Sequence, residues 1–337
     1  MTSLSGSTRR AFLVVFIFCS VVLFHPHQYA LAQDNPAYTL EEYDAYQAIT
    51  GESDPAKKMD LITQFFKTYP KSTLKPHITS DFQEALKNLR DAKKWAQVIT
   101  LGRQFLNAVP DDAYTVAVVA EGYSETKNYQ QFVVFGEATY KTNPSGNLAY
   151  AMAKAYKELG NNVKYLEWGE KTVASLPDNY ETMLEMAIIY SENQRIAESD
   201  KYAKQCLKLI QAAKKPEQMA DKDWDAYSSR AFLACYLIIG SNAYQRQQYT
   251  IAIPNLENAV KYNARNDMAY YWLGECYWQA RNTVLALKNY AKASLLNGRA
   301  AVPANQKLES LYKQTHANSL VGLDKVKAAA KAELEKK

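Results

Sequence analysis

Apolar side chains recur at helical spacing along most of the chain, and the clearest pattern lies in residues 233–300. Two segments in this range superpose at a shift of 34 residues, so that Tyr236 matches Tyr270 and Gly240 matches Gly274. In the second copy, one helix face is formed at i, i+3, i+4 and i+7 by Tyr270, Leu273, Gly274 and Tyr277. A polar break at 281–283 precedes a second apolar stripe. A fixed period of this length predicts a unit of two helices that repeats along an axis.

This pair of segments resembles the tetratricopeptide repeat (TPR) family, whose pattern is W-x2-L-G-x2-Y followed by A-x3-F. The second copy reads Tyr-x2-Leu-Gly-x2-Tyr over 270–277 and then Ala286-x3-Tyr290, with Tyr in place of Trp and Phe. In the first copy, Ala243 stands where the pattern has Tyr. The resemblance implies an all-α, right-handed α-solenoid of about seven antiparallel helix pairs, plus a C-terminal capping helical segment.

Regularly spaced glycines and prolines extend the repeat towards the N-terminus. Gly102, Gly136 and Gly169 are 34 and 33 residues apart, and each is followed eight residues later by Pro110, Pro144 or Pro177. Proline ends a helix where the chain turns into the next unit, and each glycine is expected where a helix presses on its neighbour. We therefore predict TPR-like repeats 1–5 in 39–213, an insertion with an extended helix start in 214–232, repeats 6–7 in 233–300, and capping helices in 303–337.

The first 32 residues have the features of an export signal. Arg9 and Arg10 precede an apolar run from Ala11 to Phe24, and Ala30-Leu31-Ala32 forms a small-x-small cleavage site. The run has 14 residues, fewer than the roughly 20 that span a membrane. We predict a cleaved signal peptide at 1–32 and an exported protein, periplasmic if the source has two membranes. Retention as an anchor and twin-arginine export remain alternatives.

Composition and motifs limit the kinds of binding and catalytic site that the sequence predicts. Without residues 1–32 the chain has 38 basic and 35 acidic residues, a net charge of +3 that does not indicate a nucleic-acid partner. The three remaining cysteines lie in apolar helical patterns and are expected to be buried. No G-x-S-x-G, Walker or H-E-x-x-H motif is present, and no His/Cys spacing fits zinc. We expect no catalytic site, no cofactor and no metal.

The resemblance also implies a binding surface, because the first helices of TPR units line a concave groove. The matching positions in the early units are Lys87, Arg90, Tyr150, Lys154 and Lys157, and in the late units they are Tyr244, Tyr271, Glu275 and Trp278. Aromatic and Arg side chains often dominate binding at such surfaces. The alternative is that the basic residues form a solvated face and that the aromatic residues pack against the neighbouring cap.

These observations predict a non-catalytic protein–protein interaction scaffold of the bacterial cell envelope, which binds a peptide or helix in its concave groove. The partner is a protein or peptide, not nucleic acid, and no membrane span remains after signal cleavage. Two alternatives stay open. One is a self-associating structural envelope protein, and the other is an enzyme acting on cell-wall material.

Overall fold

The computed structural model describes residues 37–336, and within this range it contains sixteen α-helices and no β-strand. The predicted signal peptide at 1–32 lies outside the described residues. No helix within 37–336 combines the length and the apolar character that crossing a membrane requires.

The helices follow one another as antiparallel pairs. Seven pairs are formed by α1 (Leu40–Gly51) and α2 (Pro55–Thr68), α3 (Lys75–Asp91) and α4 (Trp95–Ala108), α5 (Ala113–Glu125) and α6 (Tyr129–Thr142), α7 (Gly146–Glu158) and α8 (Asn162–Ser175), α9 (Tyr180–Glu192) and α10 (Ile196–Ala212), α11 (Asp221–Gln245) and α12 (Tyr249–Tyr262), and α13 (Asp267–Gln279) and α14 (Thr283–Leu295). Two more helices follow, α15 (Ala301–Thr315) and α16 (Leu323–Glu335). The predicted all-α fold of seven helix pairs with a C-terminal helical segment is confirmed.

One residue in the left-handed region closes the first helix of six consecutive pairs. These residues are Lys93, Lys127, Gly160, Gln194, Gln247 and Arg281, with φ between 54° and 68°. The amide of Lys127 donates to the carbonyl of Ser124 at 3.0 Å, and that of Asn128 donates to Tyr123 at 2.9 Å. These bonds satisfy carbonyls that the helix end leaves free. The chain therefore reverses within about three residues, which sets the close antiparallel packing of each pair.

The periodic glycines mark close contacts between neighbouring units, as predicted. A Cβ atom at Gly136 would lie 2.0 Å from the Sδ of Met152, and one at Gly102 would lie 2.3 Å from the Cγ2 of Val119. Met152 and Val119 are fully buried in the next unit's first helix. Only a residue without a side chain lets α4 and α6 approach the following unit this closely.

Hydrogen bonds between tyrosine and glutamate link α6 to α7, α8 to α9 and α12 to α13. Tyrosine hydroxyls donate to glutamates of the preceding unit, from Tyr156 to Glu137 at 2.7 Å, from Tyr190 to Glu170 at 3.2 Å, and from Tyr277 to Glu257 at 2.7 Å. Unit 6 has Ala243 at the tyrosine position. At the junction with unit 5, Asp200 of α10 pairs with Arg246 at the end of α11 at 3.0 Å, and it also pairs with Lys204 of its own helix at 2.7 Å. One ion pair therefore links α10 to α11 where those three junctions have the tyrosine bond.

Helix α11 has 25 residues, whereas the other first helices have 12 to 17. Its N-terminal part carries Trp224 and Tyr227, whose rings stack at 6.0 Å. The Tyr227 ring also lies 6.0 Å from the ring of Tyr180 at the start of α9. These aromatic contacts hold the additional turns of α11 against the preceding unit.

The last helix, α16, packs on α14 and α15. Leu323 and Ala330 of α16 join a buried cluster with Leu287 of α14 and with Leu308 of α15. The carboxylate of Glu333 binds the amino groups of Lys288 at 2.5 Å and Lys292 at 2.7 Å. The end of the array is therefore covered by a helix with a polar outer face, as a repeat array requires.

The two ion pairs of Glu333 predict that acid releases α16. Hydrogen bonds from Lys288 and Lys292 lower the pKa of Glu333 from 4.5 to about 2. The folded state therefore holds this proton less tightly than the unfolded chain, so the pairs stabilise the docked helix above pH 4.5 and are lost as the pH falls towards 2. The protection factors of the α16 amides, which correct for the intrinsic pH dependence of exchange, should fall over that interval more than those of the α14 amides.

The variant Glu333→Gln serves as the control for this prediction. It removes the carboxylate while keeping the shape of the side chain, so its α16 amides should exchange quickly already at neutral pH. If α16 amides of the unaltered chain are equally protected at about pH 6 and about pH 2.5, the ion pairs do not hold the helix in place.

Candidate functional site

A cavity of about 540 Å³ lies between the first helices α5 and α7, with α6 behind them. Its floor is apolar and includes Val116, Phe132 and Leu148, all of which are buried. The same surface carries Tyr150 and Lys154, two of the residues that the sequence places in the groove. The cavity therefore lies on the face formed by the first helices.

Small residues create the space between the two helices. Ala113, Ala117 and Ala120 share one face of α5, and Ala151 and Ala155 line the opposite wall on α7. Side chains at these spacings lie above one another on a helix. Because each ends at Cβ, the helices leave an open volume where larger residues would fill the gap between them.

Both walls are fixed by capped helix starts. Asp112 accepts from the Thr115 amide at 2.7 Å and also from the Gln83 side chain of the preceding unit at 2.7 Å. At the start of α7, the hydroxyl of Ser145 accepts from the Leu148 amide at 3.2 Å. Such caps satisfy amides that the first helical turn leaves free. The cavity is thus a preformed feature of the array.

Charged side chains surround the mouth of the cavity without being paired. Glu121 and Glu125 lie one turn apart on α5, and Lys154 lies on α7. All three are exposed, and none has an ion-pair partner within residues 37–336. The Lys154 amino group lies 5.2 Å from the centre of the Tyr150 ring. The mouth therefore offers carboxylates on one side and an ammonium group on the other.

Tyr150 connects the cavity to the following unit. Its hydroxyl donates to Glu181 at the start of α9 over 2.5 Å. Burial raises the pKa of Tyr150 above its ordinary value of 10, and the neighbouring Glu181 carboxylate raises it further. The hydroxyl therefore stays protonated at neutral pH and acts as a hydrogen-bond donor that fixes the ring at the edge of the cavity.

The other early residues predicted for the groove lie outside this cavity. Lys87 is exposed on α3, and Arg90 is half-buried and binds its neighbour Asp91 at 2.9 Å. Lys157 is exposed at the end of α7 and pairs with Glu185 of α9 at 2.8 Å. The structure thus brings Tyr150 and Lys154 together, while Lys157 and Arg90 already have partners within the chain.

The late residues form a separate cluster around Glu275. This carboxylate is buried, with an exposed fraction of 5%, and it accepts from the hydroxyls of Tyr244 at 2.9 Å and Tyr290 at 2.8 Å. The Lys307 amino group of α15 lies 3.0 Å from it. The structure therefore places Glu275 inside a network between α11, α13, α14 and α15.

The other two late aromatic residues differ in exposure. Tyr271 is half-buried, and its ring meets that of Trp272 edge to face at 5.3 Å. Trp278 retains 36% of its exposure and borders a small cavity of about 130 Å³ with Lys307 and Gln314 of α15. Part of each ring therefore remains accessible beside the capping helix.

Several residues at the cavity are absent from the predicted site. They are the alanine walls, Glu121, Glu125, Asn143 and Asn147. Ala117 and Glu121 occupy the groove positions that Tyr150 and Lys154 occupy in the next unit. The signal that could have found the cavity is the spacing of Ala113, Ala117 and Ala120 on one face of α5, because small residues facing the next unit leave room for a ligand.

Metal and thiol chemistry have no site in the described part of the chain. No group of three or more His, Cys, Asp or Glu side chains in residues 37–336 could hold a metal ion. Cys206, Cys235 and Cys276 are buried free thiols. The expectation that these three cysteines are buried is confirmed.

Comparisons with known proteins found similar solved structures only. No protein-family model and no curated protein matches the chain. The structure of YrrB, described as a TPR protein with an unusual peptide-binding site, has a TM-score of 0.48 and 12% identity, covering 61% of this chain and 97% of that one. MamA from Desulfovibrio magneticus RS-1 has a TM-score of 0.42 and 18% identity, covering 58% and 97%.

PilW, described as a widely conserved type IV pilus biogenesis factor, has a TM-score of 0.39 and 17% identity, covering 66% of this chain and 91% of that one. All three scores are below 0.5. The assignment of a TPR-like solenoid therefore rests on the helix pairs, the 34-residue period and the inter-unit contacts of this chain itself.

Proposed function

We propose that this chain, a TPR-like helical solenoid, is a non-catalytic protein-interaction scaffold of the bacterial cell envelope that holds a peptide or helix against its first helices. The observation that carries the proposal is the cavity between α5 and α7, with its apolar floor and unpaired charges at the mouth. An apolar depression with a few placed polar groups is the usual form of a binding site.

The chemistry of the cavity suits one apolar side chain of a protein ligand. The floor formed by Val116, Phe132 and Leu148 removes such a side chain from water, which stabilises the complex by about 25 cal/mol per Å² of apolar area. Asn143 and Asn147 line the cavity and can bond to a peptide backbone. Because the walls are capped helices, little ordering is needed on binding.

Within this proposal, Tyr150 and Lys154 are the predicted groove residues that contact the ligand directly. Lys87, Arg90 and Lys157 flank the cavity along the same row of first helices, while Tyr271 and Trp278 offer a second, aromatic contact near α15. Export rests on the features of residues 1–32, namely the arginine pair, the short apolar run and the Ala30-Leu31-Ala32 site.

Filling the cavity tests the proposal. Ala117 is exposed at the cavity wall, so Ala117→Trp should block the space without disturbing the core. The chain and this variant serve as baits in affinity capture from an envelope extract, and the affinity of each captured protein is then measured directly. We expect the variant to bind the partner at least about tenfold more weakly, a loss of about 1.4 kcal/mol.

The matched control is Ala197→Trp, which places the same side chain at an exposed alanine of α10, away from the cavity. It should bind the partner as the unaltered chain does. A partner that binds all three forms equally would place the binding site elsewhere. Recovery of the bait protein alone would replace the scaffold with self-association.

A further inference from the structure

The second helices form grooves of their own, and one of them lies open between α8 and α10. This α8/α10 groove encloses a cavity of about 420 Å³ with Val173, Met183 and Leu209 among its apolar lining residues. It is separate from the α5/α7 cavity, because different helices form the walls. An equivalent groove later in the same chain indicates which kind of ligand fits it.

The equivalent groove lies between α12 and α14 and encloses about 290 Å³. The two grooves have corresponding lining residues at the same helix positions. The ninth residue of the first wall is Glu170 in α8 and Glu257 in α12, the twelfth is Val173 and Val260, and the sixth residue of the second wall is Lys201 in α10 and Lys288 in α14. The tenth residue of the second wall differs, because Gln205 of α10 stands where α14 has Lys292, and the second lysine of the α8/α10 groove is Lys208, two helical turns after Lys201. The repeat therefore builds two related grooves that share the first lysine.

The α12/α14 groove shows what such a groove binds. Lys288 and Lys292 line it, and both bind Glu333 of α16, at 2.5 Å and 2.7 Å. The next residue, Leu334, is buried in the apolar cluster that contains Val260 and Tyr270. The chain thus places the end of an amphipathic helix on this groove, with a carboxylate on the lysines and a leucine in the apolar contact.

The charges of the α8/α10 groove suit the same kind of helix. Glu170 accepts from the hydroxyls of Tyr202 at 2.6 Å and Tyr190 at 3.2 Å, so its carboxylate is already engaged. Lys201 and Lys208 are exposed and have no ion-pair partner within the described chain. The Lys201 amino group donates to the Tyr202 hydroxyl at 3.3 Å and lies 4.5 Å from the centre of that ring, so it has a tyrosine contact but no carboxylate partner. Two ammonium groups without a carboxylate partner, beside an apolar floor, complement a helix that carries a carboxylate next to a leucine.

We propose that the α8/α10 groove is a docking site for an amphipathic helix of a partner protein, with an acidic residue followed by a leucine as in Glu333-Leu334 of α16. The leucine enters the groove above Val173 and Met183, and the acidic residue binds Lys201 and Lys208. This binding mode is the packing of an amphipathic helix into an apolar groove.

A charge exchange tests the site. The probe is a fluorescent synthetic peptide with the sequence of residues 319–337, and its binding to the full chain is measured by anisotropy. Lys201→Glu together with Lys208→Glu should weaken binding about tenfold, since two exposed ion pairs are lost and become repulsive. A second peptide carries Lys at the position of Glu333. It should bind the unaltered chain weakly, and it should bind the charge-reversed chain at least as tightly as the first peptide binds the unaltered chain.

Two controls distinguish binding in this groove from binding at another surface of the chain. Lys93→Glu together with Lys127→Glu reverses two exposed lysines in turns away from the groove and should leave binding unchanged. Lys288→Glu reverses the lysine that the chain's own α16 uses. If Lys288→Glu abolishes binding while the Lys201/Lys208 reversal does not, the peptide replaces α16 on α14 and the proposal is wrong. Absence of binding to the unaltered chain, or absence of rescue by the exchanged charges, also overturns it.

Discussion

Glu275→Ala is expected to lower the free energy of unfolding of the C-terminal repeats by about 3 kcal/mol, the upper end of the cost of leaving a buried hydrogen-bonding group without its partner. The carboxylate is 5% exposed and accepts hydroxyl bonds from Tyr244 and Tyr290, while Lys307 lies 3.0 Å away. Removing it leaves the buried Tyr290 hydroxyl without its acceptor, and each such group costs about 1–3 kcal/mol. Lys307 is half exposed and can return to water, so its share of the loss is small.

The measurement is hydrogen exchange along the array, combined with denaturant unfolding. Amides of α11, α13, α14 and α15 should lose protection first, because these helices supply Glu275 and the groups around it. Glu257→Ala is the matched control, since Glu257 also accepts a tyrosine hydroxyl but lies exposed on α12. It should cost less than about 1 kcal/mol. If the two variants lose equal stability, burial of Glu275 is not what makes its network strong.

The helix pairs could be predicted from the sequence because their signals are local or periodic. The i, i+3, i+4, i+7 stripe of 270–277 and the spacing of Gly102 and Gly136 recur at about 34 residues, and the structure forms one helix pair per period. Each signal depends on residues within one unit or its direct neighbour. The helix pair still forms where a single residue of the pattern is replaced, since Ala243 stands at a tyrosine position and is buried within its unit.

The role of a groove position could not be predicted in the same way. Glu275 has the position of a groove residue, but its carboxylate is engaged by Tyr244, 31 residues earlier, and by Lys307 in α15, which lies beyond the last repeat. The repeat period gives the direction of a side chain and not the partners that reach it from other units. A neighbour outside the repeats has no counterpart in the pattern.

The cavity between α5 and α7 was missed for a related reason. Its volume comes from several short side chains, since Ala117 and Ala120 on α5 and Ala151 on α7 each leave some space unfilled. A sequence shows each alanine as an ordinary core or helix residue. Only the packing of α5, α6 and α7 shows that these spaces join into one cavity. It also shows that Glu121 and Lys154 at the mouth of the cavity have no ion-pair partner within the described residues.

Phe105→Ala is expected to cost about 4 kcal/mol at the N-terminal end of the array, within the usual range for removing a buried phenylalanine. Phe105 is fully buried in α4, and its ring stacks on Phe82 of α3 at 4.0 Å between ring centres and 9° between ring planes. Phe66 of α2 meets it edge to face at 6.1 Å. The substitution therefore leaves a void that borders both units, and it also removes two aromatic pairs worth about 0.5–1.5 kcal/mol each.

Because each unit contacts mainly its neighbours, this loss should remain local. Hydrogen exchange should accelerate in α1 to α4, while α11 to α14 keep the protection that they have in the unaltered chain. Val134→Ala on the exposed face of α6 is the control, and it should change stability by no more than about 0.5 kcal/mol. A uniform loss of protection from α1 to α16 would instead mean that the array unfolds as one cooperative unit. A partner bound at α5 and α7 would then be released by damage at either end.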